Sequence, residues 1–188
     1  MFRSPTRKQF FVTLQASVAD ARGKVTAFPE RPANSLLTAF VNLLFIQLAQ
    51  LTTSIRDTSN TLRNVALNTK NLMVAGGAAN TTTGILIGSG TTAPTMADYK
   101  IETQLTANVT HGATSLFLDA PDANTYVAAI ARTFTNLTGG ILAIREVALV
   151  VEASSAPAYY FCIDRTLFSE DVPNGLPTTL TYRIYVTL

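Results

Sequence analysis

The sequence predicts a mainly-β fold: an antiparallel β-sandwich or jelly-roll-like domain over residues 54–188, preceded by one apolar helix at 34–53 and an extended basic N-terminal arm at 1–33. Three observations carry this. Residues 126–188 hold four strand-like runs, YVAAIARTFTN, ILAIREVALVVEA, AYYFCIDRTLF and TTLTYRIYVTL, separated by NLTGG, SSAP and DVPNG. Gly and Asn supply the positive φ, and Pro the fixed φ, of tight reversals, so the simplest arrangement is an antiparallel meander. In the last run Leu180, Tyr182, Ile184 and Val186 alternate with Thr181, Arg183, Tyr185 and Thr187, which gives one face to a core and the other to water or a neighbour. Finally, LLTAFVNLLFIQLAQL at 36–51 contains no charge, Gly or Pro, and the period shifts towards two after it.

At 188 residues the chain suffices for one domain with a real core. Its 47% hydrophobic content excludes wholesale disorder, while a charged fraction of 14% is low for a solvated surface and points to coverage by other subunits. The net charge of +2 is unevenly placed. Residues 1–31 hold Arg3, Arg7, Lys8, Arg22, Lys24 and Arg31 against Asp20 and Glu30, a net +4, and the remainder carries −2. Such an arm suits nucleic acid or an acidic protein surface. Its apolar residues, Phe2, Phe10, Phe11, Val12, Leu14 and Phe28, favour packing along a partner protein. MFRSPTRKQFF lacks the long apolar core and cleavage site of a secretory signal. The Asn-x-Thr triplets at Asn80, Asn108 and Asn136 therefore read as chance matches in a Thr-rich chain.

Along the chain, Pro5, Gly23, Pro29 and Pro32 punctuate the arm, leaving one short strand at 9–16. The helix follows, with Asn34 or Ser35 as its cap. Leu36, Leu37, Phe40, Val41, Leu44, Phe45 and Leu48 share one side, and Leu43 and Ile46 make the other apolar too. A helix apolar nearly all round requires burial or a membrane. Sixteen residues span about 24 Å, short of a bilayer core of about 30 Å, so burial between the β-body and adjacent subunits is expected, with Asn42 and Gln47 as inter-helix hydrogen-bonding groups. The expected contact residues are Phe10, Phe11, Leu37, Phe40, Val41, Leu44, Phe45 and Leu48, with Arg3, Arg7 and Lys8 as electrostatic contacts. Beyond the helix, 54–57 and 61–67 can pair around Thr58-Ser-Asn60, and strands are expected at 70–74, 84–88, 99–105 and 113–118.

Chemistry-bearing patterns are sparse. Gly88-Ser-Gly90 follows an apolar strand but lacks the Lys and the following helix of a phosphate loop. His111 is the only histidine, in a polar loop at 108–112, and no nucleophile elbow accompanies it. Asp119 with Asp122, and Glu170 with Asp171, lack the spacing of a calcium loop and read as turn residues. Cys162 stands alone, so it can form neither an intrachain disulfide nor a cysteine metal cluster, and a buried thiol is expected. No catalytic, cofactor or metal site is expected.

The runs GILIGSGTTAPTMADYKIE at 84–102 and ARTFTNLTGGILAIREVALV at 131–150, followed by YYFCIDRTLF, VPNG and TTLTYRIYV, resemble virion structural proteins of tailed bacteriophages. The likeness covers roughly 34–188 and rests on turn-and-strand signatures, an R-x-F-x-N hairpin and an IREV-like strand among them. It departs from the group in the long basic arm and in Met96-Ala97 before Asp98. It implies a non-enzymatic assembly subunit of the capsid surface or tail, assembled in the host cytoplasm. Its expected partners are copies of itself and other virion proteins, with nucleic acid reachable by the arm and no membrane. The alternative is a β-sandwich receptor- or carbohydrate-binding module of a tail tip, whose cleft would lie by Asp119, Asp122, Glu170 and Asp171.

Overall fold

The computed structural model describes residues 9–33, 36–153 and 157–187, and in it the chain is mainly β, with one helix and curled antiparallel sheets. In chain order the elements are β1 (Gln9–Ala19), β2 (Val25–Ala27), β3 (Arg31–Pro32), α1 (Thr38–Ala49), β4 (Thr53–Arg56), β5 (Leu62–Val65) and β6 (Gly84–Gly88), then β7 (Val109–His111), β8 (Ser115–Asp122), β9 (Thr125–Asn136), β10 (Leu142–Ala153), β11 (Tyr159–Val172) and β12 (Pro177–Thr187). The largest sheet runs β2-β1-β12-β9-β7, with β3 also on β1 and β8 also on β9. A second sheet is β11-β10-β6, and β4-β5 form a separate hairpin.

The two larger sheets contribute to one core. Leu14, Ile130, Phe134, Leu180 and Tyr182 come from the first sheet, and Ile85, Ile87, Ile144, Val147, Leu149, Phe161 and Ile163 from the second. β6 is buried at all five positions and β10 is apolar on both faces over its second half. β10 therefore needs cover on each side, which one meander could not provide.

That requirement corrects the expected meander. The four C-terminal strands form where the sequence places them, but they pair as β9 with β12 and β10 with β11. The turns at 137–141 and 173–176 are thus crossovers between sheets. Asn136 ties the two crossovers together. Its Nδ2 donates to the carbonyls of Gly140 and Val172, both at 2.7 Å, while Gly175 N donates to the Asn136 carbonyl at 2.7 Å. Its Oδ1 accepts from Thr138 N at 2.9 Å, an Asx turn that starts the reversal.

The arm is corrected as well. From Gln9 onward the segment is a full strand, paired with β12 over ten residue positions from Gln9↔Thr187 to Val18↔Thr178. Its inward residues Val12, Leu14 and Ala16 are buried, so β1 belongs to the sheet and residues 9–33 do not reach away to a neighbour. The remainder of the arm, with Arg3, Arg7 and Lys8, lies outside the described residues.

The helix is shorter than expected and only half buried. Asn34 and Ser35, the expected caps, lie outside the described residues, and Leu37 occupies the cap position without a side-chain cap bond. Gln50 ends the helix in the left-handed region at φ 56°, with its N–H on the Ile46 carbonyl. Ala39, Leu43 and Ile46 face the core, Leu43 and Ile46 with no exposed area. Burying the two stabilises the fold by about 1.5–3 kcal/mol each. The opposite side is uncovered in the single chain; the β-body covers one side of the expected burial, and the side expected to meet adjacent subunits is exposed.

Smaller differences remain. β4 and β5 pair as expected around Asp57, whose carboxylate accepts from Ser59 N, Thr61 N and Arg63 Nε. The strands expected at 70–74 and 99–105 are loops that touch the second sheet through single bridges, Met73↔Glu152 and Gly88↔Gln104. Conversely, the polar loop expected at 108–112 contains β7, which pairs with the end of β9.

Candidate functional site

Two exposed apolar surfaces stand out. On α1, Val41, Leu44, Phe45 and Leu48 follow i, i+3, i+4, i+7 spacing on the side opposite Ala39, Leu43 and Ile46, and Leu48 is 76% exposed. Leu51 continues this stripe, and Met96 and Leu62, also exposed, border a hollow of about 270 Å³ between the helix, the β4-β5 hairpin and the 96–99 loop. The second surface is the β8-β9 hairpin, where every residue of β8 is exposed, among them Leu116, Phe117 and Leu118 in succession. At the same end of the sheet Phe11 stacks on Tyr185, with ring centroids 4.7 Å apart, beside exposed Tyr126 and Val186.

The expected contact residues divide accordingly. Val41, Leu44, Phe45 and Leu48 are exposed, as a contact surface requires, and Phe11 is exposed on the sheet. Phe40 is half-buried against the core. Leu37 is 1% exposed and packs under Leu86, Ala148 and Val150, so it is core and cannot touch another chain. Phe10 stands opposite Val186 in β1, and its side chain lies outside the described residues. Gln47 donates to the Asn68 carbonyl at 3.2 Å and Asn42 lines the hollow, so the first is engaged within this chain rather than between helices.

The interior, by contrast, holds charge. Glu146 and Arg165 face each other from β10 and β11, with Arg165 Nε donating to Glu146 Oε2 at 2.7 Å and Glu146 fully buried. Arg165 also donates to Asp98 at 2.7 Å, to Glu102 at 3.0 Å and to the Thr92 carbonyl at 3.0 Å. Glu146 accepts from the backbone N–H groups of Gly90, Glu102 and Thr103. The pair clamps the 88–104 loop onto the second sheet. Gly88-Ser-Gly90 therefore does cradle an anion, namely the chain's own Glu146. A Cβ on Gly88 would sit 2.5 Å from Glu146 Oε1 and 2.6 Å from the Thr103 carbonyl.

The electrostatics agree. Burial pushes the Asp98 carboxyl up, but the Arg165 bond and those from Thr95 outweigh it, and its pKa falls below the ordinary value. Glu102 is lowered chiefly by the Thr92 backbone N–H. Burial pulls Arg165 down, yet its bonds to Glu146 and Asp98 leave it raised.

A second buried cation, Arg132 of β9, is 1% exposed and donates to the carbonyls of Gly112, Thr83, Ile85 and Asn80, tying the 76–85 loop to the first sheet. His111 is buried beside it, edge-on to Phe134 at 5.2 Å. Burial first, and then the neighbouring guanidinium, push the His111 pKa below the ordinary histidine value. A neutral imidazole hemmed in by a cation and a phenyl ring has a packing role. Burial also drives the Cys162 thiol far up, so it is not a nucleophile.

Asp119 and Asp122 cap the tip of the β8-β9 hairpin through Ala120 N and Asn124 N, and Asp171 pairs with Arg145 at 2.6 Å. Neither acidic pair lines the shallow hollows of about 230–270 Å³ on the surface. Among the described residues no group of three or more His, Cys, Asp or Glu could hold a metal ion, and no helix is long and apolar enough to cross a membrane.

Sequence reasoning passed over Glu146, Arg165 and Arg132 as functional residues of the fold. A usable signal was there: Arg132 is a lone charge in its strand run, and Glu146 and Arg165 stand in the adjacent charge pairs Arg145-Glu146 and Asp164-Arg165 between apolar stretches. All three, with Asn136 and Asp98, fall within the runs 84–102, 131–150 and 159–168, so in this chain those turn-and-strand patterns mark internal staples. The chain matches no family model, no curated protein and no solved structure.

Proposed function

We propose that this chain is a non-enzymatic structural subunit of a bacteriophage virion, at the capsid surface or in the tail, which binds copies of itself and other virion proteins through apolar surfaces. The two larger sheets are read here as the layers of a β-sandwich or jelly-roll-like body. The observation that carries the reading is the α1 face of Val41, Leu44, Phe45 and Leu48, four large apolar side chains at helical spacing left in water. An exposed apolar face of this kind marks a contact with another macromolecule. Two further features support it. The charge that other proteins spread over a surface is here partly spent inside, on Glu146, Arg165 and Arg132. The titratable groups Asp98, Glu102 and Arg165, whose pKa values are shifted from the ordinary ones, are engaged in the bonds that fasten the 88–104 loop to the second sheet.

The test is direct. Wild-type protein should sediment as an oligomer and co-purify with particles of the phage or prophage that encodes it. Leu48→Asp and Phe45→Asp should leave the circular dichroism unchanged and abolish both behaviours. Complete particles without the chain, or a wild-type monomer at all concentrations, would overturn the proposal.

A further inference from the structure

We propose that the outer edge of β8 is the acceptor for residues 1–8 of a neighbouring copy, which add to it as an extra strand; this rests on the assembly reading and names one partner for it. β8 is hydrogen-bonded to β9 on one side only, and among the described residues no strand pairs its other edge. Natural edges are protected by Lys, Pro, bulges or a covering loop. β8 has no Lys, and its Pro121 and register shift come only at 119–122, next to the turn. The stretch before them, Ser-Leu-Phe-Leu, presents an unprotected edge with apolar side chains on both faces, and Leu118 is 83% exposed. This is the form of a strand-addition site, in which main-chain bonds give affinity and alternate side chains give selectivity.

Charge and position identify the occupant. Residues 113–131 contain Asp119 and Asp122 and no Lys or Arg, whereas residues 1–8, MFRSPTRK, contain Arg3, Arg7 and Lys8 and no acid. The strand registers bring both to one end of the sheet: Gln9 stands opposite Thr187, Thr187 opposite Thr125, and Thr125 opposite Asp122. Pro5 has no N–H, whereas the alternate positions Phe2, Ser4, Thr6 and Lys8 each carry one, so the sequence leaves one strand edge free of proline.

Reach decides between the chain's own edge and a neighbour's. Three strand spacings separate β1 from β8, about 14 Å, and eight extended residues span about 27 Å. Residues 1–8 bending back to their own β8 would use about half of that length on the crossing and leave about four residues to pair, half the length of Ser115–Asp122.

Sedimentation of the full chain is the first measurement. Protein lacking residues 1–8 should associate about tenfold more weakly or worse, as the loss of several main-chain bonds requires. Leu118→Lys and the pair Asp119→Arg with Asp122→Arg should do the same with unchanged melting temperature. Adding Arg3→Glu, Arg7→Glu and Lys8→Glu to the aspartate pair should restore association. Wild-type association by protein lacking residues 1–8 overturns the inference. If association then still fails in Leu48→Asp, the assembly reading stands while the strand addition falls. A wild-type monomer whose β8 amides lose hydrogen-exchange protection on deletion of 1–8 would show the segment on its own edge, and would also overturn it.

Discussion

β8 and β10 are both strands rich in Leu, Ala and Phe or Val, yet β8 is exposed at every residue and β10 is buried along most of its length. Their residue types do not explain the contrast. β10 has a strand on each side, Leu37 and Ile101 packed with Ala148 and Val150 on one face, and the core shared with the first sheet on the other, whereas β8 has β9 alone. Burial follows from the neighbours the topology supplies. A strand of apolar composition left without neighbours is therefore evidence about a partner. The same contrast holds for charge: the second sheet encloses Glu146 and Arg165, and the hairpin shows leucines to water.

The comparison can be broken most forcefully at the buried pair. Glu146→Ala should lower stability by about 3–5 kcal/mol, because Arg165 would be left buried with one partner fewer and three backbone N–H groups would lose their acceptor. Urea denaturation would measure it, and a loss under 1 kcal/mol would show the 88–104 loop held by other means. Gly88→Ala comes next, at about 1–3 kcal/mol, since its Cβ must displace the Glu146 carboxylate or the Thr103 carbonyl.

The third test uses pH. His111 has a folded pKa below its unfolded value of about 6.5, so its contribution to stability is whole above that value. It erodes as the pH falls towards and through the folded pKa. Melting temperature should therefore decline in mild acid in the wild type, and less in His111→Leu. Asp98 and Glu102, lowered in the folded state, keep their contributions down to the ordinary carboxylate range and lose them as the pH falls from there through their folded values, so their loss begins at lower pH than that of His111. The smallest stability changes are expected at the exposed positions. Leu48→Asp and Leu118→Lys should shift unfolding by no more than about 0.5 kcal/mol, because both side chains already lie in water.

Much of this fold was legible in the sequence. Period-two alternation in Leu180 to Val186 and the turn residues at 136–140 and 171–175 located the last four strands, and the uncharged run after Leu36 located the helix. Pairing was not legible, because local signals mark where a strand ends and leave open which strand it joins. Asn136 illustrates this: its Asx turn is readable, but the bonds that make the turn a crossover go to Gly140 and Val172. The helix region was misread at Leu37, which was expected at a contact with another chain and lies in the core. Composition alone cannot tell which side of an apolar run meets the body, and Leu37 and Leu48 look alike until the sheet is placed beneath one of them. Within the candidate surfaces, Val41, Leu44, Phe45 and Leu48 were legible through helical spacing. Leu116 to Leu118 were not, since a short apolar run ordinarily signals a core strand.

The adjacency of β1 and β12 has a consequence for biosynthesis. Strands near opposite ends of the sequence lie side by side at the centre of the largest sheet, so that sheet cannot close until residues 177–187 have left the ribosome. Until then β1 has only the short β2 and β3 along one edge, and its ten-position pairing with β12 is a contact of large sequence separation, the topology associated with slow folding. Nascent chains should consequently remain protease-sensitive until residues 177–187 have emerged and then become resistant in a single step, and loss of those residues should cost the whole sheet rather than one strand.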